Sequence, residues 1–131
     1  LMYIKKELKI RVSYKDNNEV IGYEKVNDNG HWEHIRINRT IWLLGAITDG
    51  QEYRDLIRDE YTGAKDMAED EIYDNDRIRL YYHVTGVDIT AVSVVAYKND
   101  RFGFETENFG WIDIMDINKS PHHINVKIIG K

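Results

Sequence analysis

The chain has 131 residues, which leaves room for one domain or two small subdomains but not for two independent cores. Hydrophobic residues make up 42% and charged residues 31%, which excludes a disordered chain, and the lack of cysteine excludes disulfides and thiolate metal sites. The net charge is −5, with the acidic excess in the middle third, which disfavours a nucleic-acid-binding function.

The sequence contains no feature of membrane insertion or secretion. No run approaches the roughly 18 apolar residues that a membrane-spanning helix needs. The first seven residues also lack the apolar core of a signal peptide. We therefore expect a cytoplasmic protein with no membrane partner.

The first third of the chain predicts a β-meander. Residues 8–15 alternate between apolar and polar side chains, which is the pattern of a half-buried strand. Turn-forming residues at 16–18 separate this strand from a returning strand at 20–23. The Asn-Gly pair at 29–30 fits the turn that joins paired strands, so residues 32–37 are predicted to be a third strand.

The following segment predicts one short helix. Asp49 and Glu52 have the spacing of a helix N-cap and its charged partner. Apolar residues then fall at helical spacing, at Tyr53, Leu56 and Ile57. We therefore expect a helix near residues 50–59.

The second half of the chain predicts strands again. Apolar and polar residues alternate over 77–84, and the run ends at Gly86. Residues 89–97 are β-branched and almost continuously apolar, which favours a central strand buried on both faces. A polar hairpin loop is predicted at 98–101, and a last strand at 124–129 follows the chain's one proline.

Several blocks of the sequence resemble the YopX family of phage and prophage proteins. The most specific block is Tyr61-Thr62-Gly63-Ala64-Lys65-Asp66 followed by residues 71–78, EIYDNDRI. Residues 5–14, 94–104 and 126–130 are similar to the family's opening, middle and closing segments. The resemblance implies a phage or prophage origin and an SH3-like β-barrel in the C-terminal half. It implies no enzymatic activity, cofactor or binding residue.

Together these patterns predict a mostly β fold with little helix. Residues 1–60 are expected to form the β-meander with the short helix, and residues 61–131 the SH3-like barrel implied by the resemblance. We expect both to belong to a single YopX-like domain over residues 1–131.

No catalytic or metal-binding constellation is predicted. Carboxylates crowd residues 66–76, but without the spacing of a calcium loop, so they are interpreted as turn formers. Histidines and serines are scattered rather than grouped in a triad or a zinc motif. We therefore predict no catalytic, metal or cofactor-binding residues and no cofactor.

One candidate interaction surface is predicted on the meander. It combines basic and aromatic residues, with His34 beside them: Lys9, Arg11, Trp32, Arg36 and Arg39. Such residues suit a stacking platform for single-stranded nucleic acid, but they also fit an ordinary sheet with a solvated face.

The leading hypothesis is a phage or prophage accessory protein that is not an enzyme. It would act through a protein partner or self-association. The alternatives are a nucleic-acid-binding regulator and a metal-dependent enzyme built on residues 66–76.

Overall fold

The computed structural model describes residues 8–37, 42–43, 46–48, 53–117 and 123–131. The described fold is mostly β, as predicted, and its helical content is one 3₁₀ turn at Ile114–Asp116. In the first half the strands are β1 (Lys9–Tyr14), β2 (Val20–Val26), β3 (Trp32–Arg36), β4 (Trp42–Leu43), β5 (Ala46–Thr48) and β6 (Tyr53–Lys65). In the second half they are β7 (Glu71–Tyr73), β8 (Arg77–Val84), β9 (Val87–Val94), β10 (Ala96–Lys98), β11 (Arg101–Thr106), β12 (Gly110–Asp113) and β13 (Asn125–Gly130).

The chain divides into two compact units, Leu1–Tyr61 and Thr62–Lys131. The division falls inside β6. That both units belong to a single YopX-like domain stays a prediction.

The first unit is built on an antiparallel sheet with the order β3-β2-β1-β6-β5-β4. The predicted meander of β1, β2 and β3 is confirmed. Its second turn is organised by the side chain of Asn27, whose Oδ1 accepts hydrogen bonds from the backbone N–H groups of Asn29 and His31. Gly30 completes this turn with a φ of 79°, a conformation that glycine adopts without strain.

The predicted short helix at residues 50–59 is wrong over residues 53–59, which belong to β6; residues 49–52 lie outside the described residues. β6 pairs with β1, with Glu60 opposite Ile10 and Leu56 opposite Tyr14. Apolar and polar residues do not alternate with period two over this segment, so the strand rests on pairing to β1, which overrides a helical spacing of three apolar residues.

A core cluster of described residues lies on one face of this sheet. Trp42 and Val12 are fully buried in it, together with Tyr14 and Ile21. Gly22 makes room for the indole, because a Cβ atom at that position would lie 2.6 Å from the Trp42 ring and 2.1 Å from the carbonyl oxygen of Ile35. Residue 22 therefore has to be glycine for β2, β3 and Trp42 to pack as they do.

The second unit contains two antiparallel three-stranded sheets, β10-β11-β12 and β13-β8-β9, while β7 pairs with β6. They contribute to one apolar core, whose buried residues include Ile78, Leu80, Phe104 and Val126. The pairing of the described strands leaves these sheets open, so the SH3-like barrel is not confirmed.

The strand predicted to be buried on both faces is at the end of a sheet instead. β9 ends at Val94 and pairs with β8 at one edge of β13-β8-β9. Val92 and Val94 are 54% and 48% exposed, whereas Val95, just beyond the strand, is fully buried. An apolar run alone does not distinguish an edge strand from a central one, because burial depends on what packs against it.

The other predictions for this half are confirmed. β8 buries its predicted apolar face, and the last strand follows as β13. The loop between β10 and β11 is a two-residue turn in which Asn99 and Asp100 have φ values of 53° and 62°. Positive φ at both positions matches the turn that twists with its flanking strands.

Candidate interaction surfaces

The described members of the predicted basic-aromatic surface lie on opposite faces of the sheet. Lys9 is opposite Lys25, and Lys25 is opposite Glu33. Paired residues share a face and neighbours along a strand alternate, so Trp32 lies on the other side of the sheet from Lys9. Arg39 lies outside the described residues. Lys9 and Trp32 therefore do not belong to one platform.

Arg11 is buried rather than available to a ligand. Its guanidinium donates a hydrogen bond of 3.2 Å to Asp59, and the two residues are 7% and 1% exposed. They lie directly opposite each other on β1 and β6. Arg11 therefore joins two strands of the sheet and does not contribute to an exposed surface.

Glu24 is the centre of a polar cluster beside the buried Trp42. Its carboxylate accepts hydrogen bonds from Arg58 Nε at 2.6 Å and from Trp42 Nε1 at 3.3 Å, and His34 Nε2 lies 3.5 Å away. Burial tends to raise the pKa of the Glu24 carboxyl, but the hydrogen bond and charge of Arg58 outweigh it, so the pKa lies below its usual value. The cluster links β2, β3, β4 and β6, which is a structural role.

The acidic segment at 66–76 uses its carboxylates to build turns. Asp66 is 5% exposed, and its Oδ1 accepts hydrogen bonds from the backbone N–H groups of Ala68 and Asp70, each at 2.9 Å. Its Oδ2 accepts a bond of 3.0 Å from the N–H of Ile128 in β13. Asp76, 1% exposed, accepts a bond from the N–H of Tyr73.

Asp66 and Asp76 belong to the motif at 61–78, and these hydrogen bonds give both a structural role in the fold. Within the described ranges, no group of three or more histidine or carboxylate side chains is placed to hold a metal ion. The carboxylates of Asp66 and Asp76 thus stabilise turns, and Asp66 also connects its turn to β13.

The edge of β3 is a second surface, and it carries exposed apolar side chains among polar ones. Trp32, Ile35 and Ile37 are 50%, 42% and 59% exposed. β3 is the last strand in the sheet order, and among the described strands only β2 pairs with it. An open edge with large apolar side chains is a site where another extended segment can pair.

A third surface, the outer face of β13-β8-β9, is basic. Arg77, Arg79, Tyr81 and His83 alternate along β8 with its buried residues, and all but the half-buried Tyr81 are exposed. Lys127 of β13 lies directly opposite Arg79. We call these five residues the β8 face. The alternation in the sequence already predicts the outward side of β8, but only the register shows that Lys127 joins it.

A cavity of about 270 Å³ lies in the second unit at one end of the β8 face. Its lining is mostly polar or aromatic and comes from β8, β9, the start of β13 and a residue just before it: Tyr81, Tyr82, His83, Asp88, Ile89, Thr90, His123 and Asn125. His83 Nδ1 and Asp88 Oδ1 lie 2.7 Å apart at its rim.

In the described part of the chain, no helix has the length and apolarity needed to cross a membrane.

Searches among curated proteins and among solved structures returned no match. The profile of the family described as YopX protein matches residues 2–131, essentially the whole chain. The resemblance seen in residues 61–78 thus extends over the full sequence, and the chain belongs to the YopX family.

Proposed function

We propose that the protein is a phage or prophage accessory protein of the bacterial cytoplasm that acts without catalysis, through contacts with protein chains. Membership of the YopX family supports the phage context. The observation that carries the mode of action is the edge of β3, which carries exposed apolar side chains and pairs with no described strand other than β2.

The hydrogen bonds of β3 identify which backbone groups are available at this edge. The N–H of Ile37 donates to the carbonyl of Ile21, and the N–H of Asn27 donates to the carbonyl of His31. Antiparallel strands bond through every second residue, so residues 31, 33, 35 and 37 face β2. The backbone N–H and C=O groups of Trp32, His34 and Arg36 therefore point away from β2, toward the edge of the sheet.

We propose a second copy of the chain as the occupant. A twofold axis through His34 would pair the two β3 strands antiparallel and extend the sheet across both copies. In this register Trp32 of each copy lies opposite Arg36 of the other, which is a favourable cation–π pair. Glu33 lies opposite Ile35, so neither the carboxylates nor the arginines of the two copies face each other, and the two His34 side chains meet at the axis.

The experiment is to measure self-association by sedimentation equilibrium for the wild type and for Arg36→Pro. Proline removes the outward N–H without touching the bonds to β2. Two backbone hydrogen bonds are lost per dimer at about 0.5–1.5 kcal/mol each, so we expect the dissociation constant to rise by between about fivefold and about 150-fold.

Arg36→Ala is the matched control, because it removes the side chain but keeps the N–H. It should weaken the dimer less than Arg36→Pro does, and circular dichroism should show that both variants are folded. A protein that stays monomeric at every concentration tested, or a dimer that Arg36→Pro leaves unchanged, would overturn the proposal.

A further inference from the structure

The β8 face carries cations that the fold does not use. Arg79 and Lys127 lie directly opposite each other on β8 and β13, and Arg77 is two residues away on the same face. None of the three forms an ion pair or hydrogen bond with another side chain among the described residues. Like charges directly opposite on a sheet are destabilising, so this arrangement is not explained by stability.

The other side chains of the face are compatible with an anionic ligand that has flat apolar groups. Val94 is opposite Arg77, and Val92 is opposite Arg79, so exposed apolar surface borders the cations. Tyr81 follows along β8 and lines the cavity of about 270 Å³. The carboxylate of Asp88 lies beyond Tyr81, paired with His83, and so away from the arginines.

The order of groups along β8 therefore runs from cations to an aromatic ring and then to the cavity. Alternate residues of a strand are about 6.6 Å apart, so the face offers a regular row of contacts to an extended polymer. Cations that track a backbone, with an aromatic ring for base stacking, are how proteins hold single-stranded nucleic acid.

We propose that the β8 face is a binding site for single-stranded nucleic acid. Phosphates contact Arg77, Arg79 and Lys127, and one base stacks on Tyr81 at the mouth of the cavity. The site lies in the second unit and is separate from the β3 edge, so either proposal can fail without the other.

The test is fluorescence anisotropy of the full chain with a short labelled single-stranded DNA at low and moderate salt. We expect binding at low salt that weakens as salt rises, because each neutralised phosphate releases counterions. Arg79→Gln/Lys127→Gln should weaken binding at least about tenfold at low salt. It should also reduce the salt slope by about 1.4, at about 0.7 for each lost contact to a single strand.

Lys9→Gln/Lys25→Gln is the matched control, since these two lysines also lie directly opposite each other, on β1 and β2 of the first unit. Both double variants have the same net charge, so a difference between them reports the location of the site. The control should bind as tightly as the wild type. Tyr81→Leu should weaken binding with an unchanged salt slope, because it removes stacking but no charge.

Thermal unfolding of each variant distinguishes loss of the binding site from loss of the fold. Removing the Arg79–Lys127 repulsion should leave the melting temperature unchanged or raise it. Three results would overturn the proposal: no binding at low salt, equal weakening by the two double variants, or equally effective competition by polyglutamate at matched charge.

Discussion

The two units of the chain stabilise their sheets by different means. Among the described residues of the first unit, the buried core cluster consists of Val12, Tyr14, Ile21 and Trp42, and charged pairs join the strands around it. In the second unit eleven buried residues form the core cluster, and ion pairs such as Arg101–Asp113 lie at the surface.

This difference indicates which interactions fix the strand register in each sheet. A slip of one residue between β1 and β6 would separate Arg11 from Asp59 and leave buried charges without their partners. In the second unit, a slip would turn the apolar faces of β8 and β13 towards water. Charge pairing therefore adds to apolar alternation in the first sheet, whereas apolar alternation specifies the second.

The largest expected effect is in the second unit, from Phe104→Ala. Phe104 is fully buried, so removing its ring loses apolar burial and leaves a cavity. We expect the free energy of unfolding to fall by about 3–5 kcal/mol in urea titrations, with little dependence on salt. Met115→Ala, at an exposed position, is the control and should change it by less than about 0.5 kcal/mol. A loss of under about 1 kcal/mol for Phe104→Ala would contradict the apolar account of this unit.

The matching test in the first unit is Asp59→Leu, which leaves the buried Arg11 charge without this partner. We expect a loss of about 3 kcal/mol or more. Arg11→Met/Asp59→Leu removes both charges and should recover most of that loss, since apolar side chains of similar size suit a buried site. Were the double variant no more stable than the single one, the loss would not come from the uncompensated charge.

Asp66→Ala tests whether the second unit also depends on a polar group. The variant leaves three backbone N–H groups without their acceptor, including that of Ile128. We expect a loss of about 2 kcal/mol and faster hydrogen exchange at residues 66–70 and in β13. Asp70→Ala, an exposed neighbour, should change stability by less than about 0.5 kcal/mol. Equal effects of the two variants would show that the carboxylate of Asp66 is not needed.

The smallest expected effect is the acid sensitivity that Glu24 contributes. Its pKa is lower in the folded state than its ordinary value of 4.5, so its stabilisation is fully present above pH 4.5. That stabilisation is lost as the pH falls through the lowered folded value, when the carboxylate becomes protonated. Glu24→Gln should therefore lose less stability than the wild type between about pH 5 and pH 3, measured by urea titration at each pH. Glu107→Gln, at an exposed position, should follow the wild type, and a Glu24→Gln profile parallel to the wild type would argue against the Arg58 contact.

Much of the secondary structure could be predicted from the sequence, because it depends on neighbouring residues. Alternation identified β1 and β8, and the Asn99-Asp100 turn has the positive φ at both residues that its type needs. The turn before β3 was placed correctly, but only Gly30 has a positive φ, so it is not the two-residue turn that the Asn29-Gly30 pair predicted. The same local information misled at residues 53–59, where three apolar residues have helical spacing but the segment is part of β6.

The candidate surfaces were less predictable, because they depend on which strands become neighbours. Lys9 and Trp32 are similar in type to the members of a nucleic-acid platform, yet the register places them on opposite faces. Arg11 is indistinguishable from an exposed arginine in the sequence, and only its pairing with Asp59 buries it.

The sequence by itself determined the mostly β character, most strand positions, the turns and the family. These follow from backbone sterics and side-chain periodicity within a few residues, and from a motif whose Asp66 and Asp76 hold nearby backbone groups. Only the tertiary structure decided that β6 is a strand, that β3 ends its sheet and that Lys127 lies opposite Arg79. Each of those outcomes depends on hydrogen bonding between segments far apart in the chain, and no local pattern encodes which segments will meet.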